Sequence, residues 1–169
     1  MVSNNAWHQF AESWIESNFP NLASCEYKLT SPDTIDYNCV AWAAEDDLTW
    51  WWPDAQNTEY WPPDVPREET IEAFIQAFQT IGYEVCQDDA LEEGFQKIAI
   101  YTDSNKIPKH VARQLPSGKW TSKLGSNEDI EHENLQGLAG QPGYGKVTCL
   151  MKKQVTAQLS FSPTSNFIA

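Results

Sequence analysis

One amphipathic segment followed by short alternating segments constrains the fold class of this chain more than any other feature. The apolar residues of segment 68–81 recur at i, i+3, i+4 and i+7, the spacing of one helix face, and are Ile71, Phe74, Ile75 and Phe78. From residue 95 onward, apolar and polar residues alternate in short segments that are separated by turn residues. Helices followed by an antiparallel meander predict an α+β fold.

The same patterns divide the rest of the chain into elements. Two further helices are predicted, one over 4–18 and a shorter one over 38–46. Strands are predicted at 83–86, 95–101, 110–115, 119–124 and 144–151. Residues 21–35 and 125–132 are polar and are predicted to be irregular. We expect residues 1–153 to form a single domain and residues 154–169 to form a loosely ordered tail.

Charge and targeting signals disfavour several classes of function. The 169 residues carry 24 acidic and 11 basic side chains, which gives a formal net charge of −13. An acidic surface repels phosphate, so we expect neither nucleic acid nor an anionic membrane as a partner. The N-terminus lacks the basic and apolar regions of a signal peptide, and no apolar run has the length of a membrane span. We therefore expect a cytoplasmic protein.

The four cysteines are far apart and form no CxxC pair, which disfavours a thiolate zinc site and predicts free thiols in a reducing cytosol. One of them, Cys39, begins the predicted helix 38–46, with Asp36 or Asn38 as its N-cap. The positive end of the helix dipole favours a thiolate, which is the nucleophilic form of cysteine. The alternative is that Cys39 is a small core residue.

A cysteine nucleophile needs a base within hydrogen-bond reach and a residue that orients this base. His110 is the candidate base, because it opens a predicted strand after Pro108. We expect a ring nitrogen of His110 to lie about 3–5 Å from the Cys39 sulfur. The orienting residue is expected to be Ser122 on the returning strand or Asp129 in the polar segment that follows it, a segment that also contains His132.

Further residues complete the predicted site. The side-chain amide of Gln114 and the backbone amide of Cys39 are candidate donors to an oxyanion. A metal site formed by His110, His132 and Asp129 is disfavoured, because their spacing matches no helical or hairpin ligand pattern. The sequence therefore implies neither a metal nor a cofactor.

An aromatic loop follows the cysteine helix. Residues 48–67 contain Trp50, Trp51, Trp52 and Trp61 together with four prolines, which exclude a continuous helix or a central strand. Ordered loops of about twenty residues in compact domains are often lids or binding loops. One interpretation is that some of these rings line a substrate groove beside the cysteine. The other is that the rings close one end of the core.

The order of these residues resembles that of papain-like cysteine hydrolases of the NlpC/P60 and amidase type. The resemblance rests on Asn38-Cys39 at a helix start, His110 at a strand start and a polar residue on the following strand. In that group the third catalytic residue is usually His, Asn or Gln, and Ser122 stands at or near its position here. The resemblance implies a papain-like α+β fold with N-terminal helices packed on an antiparallel sheet.

The chain is also similar to an uncharacterised bacterial family that carries Asn-Cys-x-Ala-Trp-Ala, Trp-Trp-x-Pro and His-x-Ala-Arg-Gln-Leu…Trp-Thr-Ser-Lys-Leu-Gly motifs. Here these are residues 38–43, 50–53, and 110–115 with 120–125. The sequence thus predicts a cysteine-dependent hydrolase or acyltransferase that acts on an amide or peptide bond. Its substrate is expected to be a peptide, a protein or another amide. The alternative is a non-catalytic binding module whose aromatic loop recognises a partner protein.

Overall fold

The structure, a computed structural model, describes residues 4–155, with side chains from residue 6 onward. Within this range the three α-helices are α1 (Asn4–Asn18), α2 (Cys39–Ala43) and α3 (Ile71–Gln79). The strands are β1 (Tyr27–Ser31), β2 (Glu84–Cys86), β3 (Phe95–Thr102), β4 (Pro108–Gln114), β5 (Trp120–Lys123), β6 (Asp129–His132) and β7 (Lys146–Gln154). Short 3-10 helices lie at Pro20–Ser24 and Leu135–Leu138. The predicted α+β fold class is confirmed.

All seven strands belong to one antiparallel sheet in the order β1-β6-β5-β4-β3-β7-β2. Strands β3 to β6 form a meander of consecutive neighbours, and the turn residues predict its first three strands, β3 to β5. The returning strand β7 pairs along the full length of β3, and β2 adds to its outer side. Strands β4 and β5 pair only at Arg113↔Thr121 and Gln114↔Trp120, so their other ends are not held together by a ladder.

Side chains from the two sides of the sheet enter two separate hydrophobic cores. One core joins α2, α3 and the aromatic loop to the sheet, and we call this side the α2 face. The other core joins α1 and both 3-10 helices to the sheet, and we call this side the α1 face. Strand residues on the α2 face include Ile98, Ile100, Val111 and Met151, and those on the α1 face include Ala99, Tyr101, Ala112 and Ile130. The central strands are therefore covered on both sides.

Two strands were not expected from the sequence. β1 lies in the segment 21–35 and β6 lies in the segment 125–132, and both segments were predicted to be irregular. β1 is an edge strand of alternating half-buried and exposed residues, and β6 contains one aliphatic residue, Ile130. Cross-strand partners accommodate their polar side chains, as in the Lys28–Glu131 ion pair at 3.0 Å. Local hydrophobic periodicity is too weak to indicate either strand.

Several element boundaries also differ from the prediction. α2 ends at Ala43 instead of residue 46, because Glu45 adopts a left-handed conformation with φ 63°. α3 begins at Ile71 instead of residue 68, because the Thr70 side chain accepts a hydrogen bond from the Ala73 amide and caps the helix there. β7 includes Gln154, the first residue of the predicted tail. Residues 156–169 of that tail lie outside the described range.

Candidate functional site

Cys39 is the first residue of α2, as the sequence predicts. Of the two candidate caps, Asn38 is the one that caps the helix, since its Oδ1 accepts a hydrogen bond from the Ala41 amide at 3.1 Å. The first intrahelical bond runs from the Trp42 amide to the Asn38 carbonyl at 2.9 Å. The sulfur is thereby fixed at the N-terminal end of a short helix that packs on strands β4 and β5.

The Cys39 side chain is buried in the α2-face core, with 5% of its surface exposed. Burial raises the pKa of its thiol to about 11. The backbone amides of Val111, Val40 and Cys39 itself act in the opposite direction, followed by the positive charge of Lys123. Desolvation prevails over these contacts because the thiol is buried in the apolar core. The thiol is therefore protonated at neutral pH, unlike the thiolate that the helix position predicts.

His110 is buried on the other side of β4. It pairs across strands with Tyr101, and the two rings lie 5.4 Å apart on the α1 face. The imidazole also stacks in parallel on the Tyr144 ring, with a centroid distance of 4.1 Å. Its Nδ1 has no hydrogen-bond partner among the described residues. The expected hydrogen bond between Cys39 and His110 is therefore not formed in this structure.

The other ring nitrogen of His110 begins a chain of hydrogen bonds, which we call the histidine relay. His110 Nε2 lies 2.9 Å from Ser122 Oγ, and Ser122 Oγ lies 2.8 Å from His132 Nε2. His132 Nδ1 in turn lies 2.9 Å from the backbone oxygen of Asn134. All three side chains of the relay are fully buried. Of the two predicted orienting residues, Ser122 is the one that contacts His110.

Both histidines of the relay are neutral at physiological pH. Burial lowers the pKa of His110 well below its ordinary value, and repulsion from His132 acts in the same direction. Burial lowers the pKa of His132 to about 4, although the Asn134 carbonyl and the charge of Glu131 partly oppose this shift. Each imidazole therefore carries one N–H group and one lone pair.

Asp129 does not contact His110. It is the cross-strand partner of Lys123, so both side chains lie on the α2 face of the sheet. Its Oδ2 accepts a hydrogen bond of 2.5 Å from the Tyr37 hydroxyl. Burial raises the pKa of Asp129, while the contact with Tyr37 and the charge of Lys123 lower it. The orienting role that was considered for Asp129 is not supported by this geometry.

Gln114 lies on the sheet face opposite Cys39. Its Nε2 donates a hydrogen bond to the Asp89 carbonyl at 2.9 Å, and the side chain lines a groove of about 1040 Å³. The groove is bordered by acidic and apolar residues, among them Glu45, Leu91 and Phe95. The predicted contribution of Gln114 to an oxyanion site beside Cys39 is therefore not supported.

The aromatic loop returns to the start of α2. The Asn38 side chain joins the Trp51 backbone twice, because Nδ2 donates to the Trp51 oxygen at 2.7 Å and Oδ1 accepts from its amide at 3.1 Å. The Trp51 and Trp61 rings are buried in the same core as Cys39, with 6% and 5% exposed. For these two rings, the structure agrees with the interpretation that the aromatic loop closes one end of the core. Trp50 and Trp52 are half-buried, and their role in a groove stays a prediction.

Trp52 and Trp61 also fix the loop to α3. Their rings contact Phe74 at centroid distances of 5.5 and 5.1 Å. Each indole N–H has a partner, since Trp52 Nε1 donates to Glu69 at 3.0 Å and Trp61 Nε1 donates to the Pro66 carbonyl at 3.0 Å. The loop is thus held by polar contacts at its surface and by ring packing inside.

Sequence reasoning considered His132 as a metal ligand and as a neighbour of the orienting candidate Asp129, and it assigned Tyr144 no role in the site. Both surround His110, one through Ser122 and the other by stacking. A signal for His132 existed, because pairing residues 129–132 with the strand at 119–124 puts His132 opposite Trp120, on the same face as Ser122. Tyr144 was predicted to begin the last strand, 144–151, but β7 begins at Lys146, and no residue spacing indicated that Tyr144 stacks on His110.

Comparisons with known proteins give a family but no activity. Residues 28–152 match the domain of unknown function DUF7689, so the chain belongs to this family. No curated protein and no solved structure matches the chain. Within residues 4–155, no group of three or more His, Cys, Asp or Glu side chains is arranged to hold a metal ion. No helix in the same range has both the length and the apolar character to cross a bilayer.

Proposed function

We propose that this protein is a cysteine-dependent hydrolase or acyltransferase of papain-like type that acts on an amide bond, with Cys39 as nucleophile and His110 as base. The observation that supports this function is the unpartnered Nδ1 of His110. A buried polar atom without a partner lowers the stability of the fold, and a catalytic role is one of the reasons for which such an atom is retained. An imidazole held at one nitrogen and free at the other is what a thiol nucleophile requires of its base.

Cys39 and His110 share two neighbours, although they do not touch. The Val111 backbone amide contacts the Cys39 sulfur and lowers its pKa, and Val111 follows His110 directly in β4. Tyr144 stacks on the His110 ring, and its phenol has a pKa that is raised first by burial and then by the ionised form of the nearby Cys39. In the proposed reaction, the Cys39 sulfur comes within hydrogen-bond reach of His110 Nδ1 while His110 Nε2 stays bonded to Ser122.

The raised pKa of Cys39 means that the thiol proton has to leave as the sulfur attacks, rather than beforehand. His110 Nδ1 accepts this proton while the sulfur bonds to the carbonyl carbon of the amide. The C–N bond then breaks, and His110 returns the proton to the leaving amine, which gives a thioester on Cys39. Water or an acceptor amine attacks the thioester and releases the acyl group, and the thiol regains its proton. The Cys39 backbone amide is the proposed donor to the oxyanion.

The burial of Cys39 favours a second function, a non-catalytic interaction module. A buried thiol in apolar surroundings with a raised pKa is ordinarily inert. In this case the aromatic loop is the recognition surface, because it carries Leu48 and Tyr60 with 85% and 43% of their surface exposed. Cys39 then serves only to pack α2 against the sheet.

Alkylation by iodoacetamide, mapped to each cysteine by mass spectrometry, separates the two functions. Because the proposed attack is assisted by His110 and does not start from a preformed thiolate, the hydrolase predicts that Cys39 is alkylated at neutral pH faster than the half-buried Cys86. His110→Asn should slow the alkylation of Cys39 at least about tenfold, while His8→Asn on the exposed side of α1 should not. If Cys39 is labelled only after denaturation, the hydrolase is rejected and the interaction module is favoured.

A further inference from the structure

The direction of each hydrogen bond in the histidine relay follows from its last member. A backbone carbonyl oxygen can only accept a hydrogen bond, so the atom that faces the Asn134 oxygen at 2.9 Å must be a donor. That atom is His132 Nδ1, which therefore carries the proton of this imidazole. In a neutral ring the other nitrogen, Nε2, then has a lone pair and no hydrogen.

The direction of the two hydrogen bonds of Ser122 follows in the same way. Because His132 Nε2 offers only a lone pair, the Ser122 hydroxyl must donate its hydrogen to it across the 2.8 Å contact. The Ser122 oxygen can then only accept from His110 Nε2, which lies 2.9 Å away. His110 therefore has its proton on Nε2, and its lone pair lies on Nδ1, the atom that has no partner.

We propose that Ser122 and His132 are positioning residues that hold His110 in the one tautomer able to accept a proton at Nδ1. The catalytic meaning of this tautomer rests on the proposed function, whereas the tautomer itself does not. The relay does not need to move a proton. When His110 takes a proton at Nδ1, its Nε2–H still donates to Ser122 and every other bond of the relay is unchanged.

The neighbours of His110 explain why a serine suits this position. The ring lies between Tyr101 and Tyr144, and the Tyr101 hydroxyl already donates to the Leu135 carbonyl at 2.7 Å. A carboxylate in the place of Ser122 would be buried without a cation, which is strongly unfavourable. A neutral hydroxyl between two neutral imidazoles fixes the orientation without a buried charge. It follows that the relay orients the His110 imidazolium but provides no counter-charge for it.

Nitrogen NMR of protein labelled with ¹⁵N-histidine tests the proposed tautomers at neutral pH. We expect His110 to be protonated at Nε2 only and His132 at Nδ1 only, and the exposed His8 serves as an internal reference for assignment. In His132→Phe the Ser122 hydroxyl loses its acceptor and becomes free to donate to His110 Nε2, so the proton of His110 should move to Nδ1. His110 protonated at Nδ1 in the unsubstituted protein would overturn the proposal, whether or not any variant folds.

Substitution of the serine provides a matched pair. Ser122→Ala removes the bridge and should produce a mixture of His110 tautomers, whereas Ser122→Thr retains a hydroxyl and should preserve the Nε2–H form. On the proposed function, Ser122→Ala also slows the His110-dependent alkylation of Cys39 about tenfold, and Ser122→Thr restores most of the rate. An unchanged tautomer in both Ser122→Ala and His132→Phe contradicts the relay.

The two proposals fail in different ways. Cys39→Ala should leave the tautomers of both buried histidines unchanged, because the relay does not include the thiol. The expected tautomers together with an unreactive Cys39 would support the relay and reject the hydrolase. Rapid alkylation of Cys39 that depends on His110 but not on Ser122 or His132 would support the hydrolase and reject the relay.

Discussion

The Asn38 side chain holds the Trp51 backbone by two hydrogen bonds, one to the carbonyl at 2.7 Å and one from the amide at 3.1 Å. The same Oδ1 caps α2 through the Ala41 amide. A single side-chain amide group thus joins the start of the cysteine helix to the aromatic loop. All of its hydrogen-bond partners are buried. The position of Cys39 depends on this junction, because Cys39 is the next residue.

Replacing Asn38 should therefore have a larger effect than removing an ordinary cap. Asn38→Ala leaves the Trp51 amide and carbonyl without partners in addition to the loss of the cap. We expect the free energy of unfolding to fall by about 3 kcal/mol. Thr70→Ala is the matched control, because Thr70 caps α3 through the Ala73 amide and has no second role there, and it should cost about 1 kcal/mol. Urea denaturation followed by circular dichroism measures both, and equal losses would refute the double role of Asn38.

The two tryptophans that contact Phe74 should differ in their contributions to stability. Trp61 is buried in the α2-face core, so Trp61→Ala should lower the free energy of unfolding by about 3–5 kcal/mol. Trp52 is half-buried, and its loss should cost clearly less, on the order of 1–2 kcal/mol. Thermal or urea unfolding of both variants gives the comparison. If Trp52→Ala were the more damaging change, the assignment of Trp61 to the core would be wrong.

Stability should fall on acidification because the relay histidines are buried in the neutral form. The pKa of His132 is lowered from its ordinary value of 6.5 to about 4, so below about pH 6.5 the unfolded chain binds a proton that the folded protein does not. The stabilisation is complete above the unfolded pKa and is lost as the pH falls toward the folded pKa. For His132 the loss amounts to at most about 3 kcal/mol between pH 7 and pH 4.

This dependence is measured by urea unfolding over that pH range. His132→Gln should be less stable at pH 7 and should show a flatter loss of stability on acidification, since it removes one titrating group. His8→Gln, on the exposed side of α1, is the control and should retain the slope of the unsubstituted protein. Parallel curves for the unsubstituted protein and His132→Gln would show that His132 is not buried as a neutral group.

Arg67 should be needed to keep the aromatic loop closed. Its guanidinium donates to the Asp54 carboxylate at 2.6 Å and to the backbone oxygens of Asp54, Trp52 and Glu59. Arg67→Lys retains the charge but cannot reproduce this fork of donors. We expect chymotrypsin to cleave the loop about tenfold faster in both Arg67→Lys and Arg67→Met. Cleavage of Arg67→Lys at the rate of the unsubstituted protein would show that charge alone closes the loop.

The sequence by itself determined the elements whose pattern is local. The apolar spacing of segment 68–81 corresponds to α3, and the position of Asn38 before an apolar run corresponds to the cap of α2. The meander from β3 to β5 followed from turn residues between apolar segments. Ser122 was also one of two residues considered as a partner for His110, and it is the one in contact. Each of these features depends on residues within a few positions of one another.

Only the tertiary structure decided which side of the sheet each candidate residue occupies. Strand β3 is buried at six consecutive positions from Lys97 to Thr102, and β4 is buried at most of its positions. Side chains alternate between the two faces of a sheet. When both faces are covered, the sequence of the strand shows no alternation of apolar and polar residues. The sequence could therefore not show that His110 enters the α1 face while Cys39 packs on the α2 face. That separation depends on where α2 and α1 dock, which is a contact between distant parts of the chain.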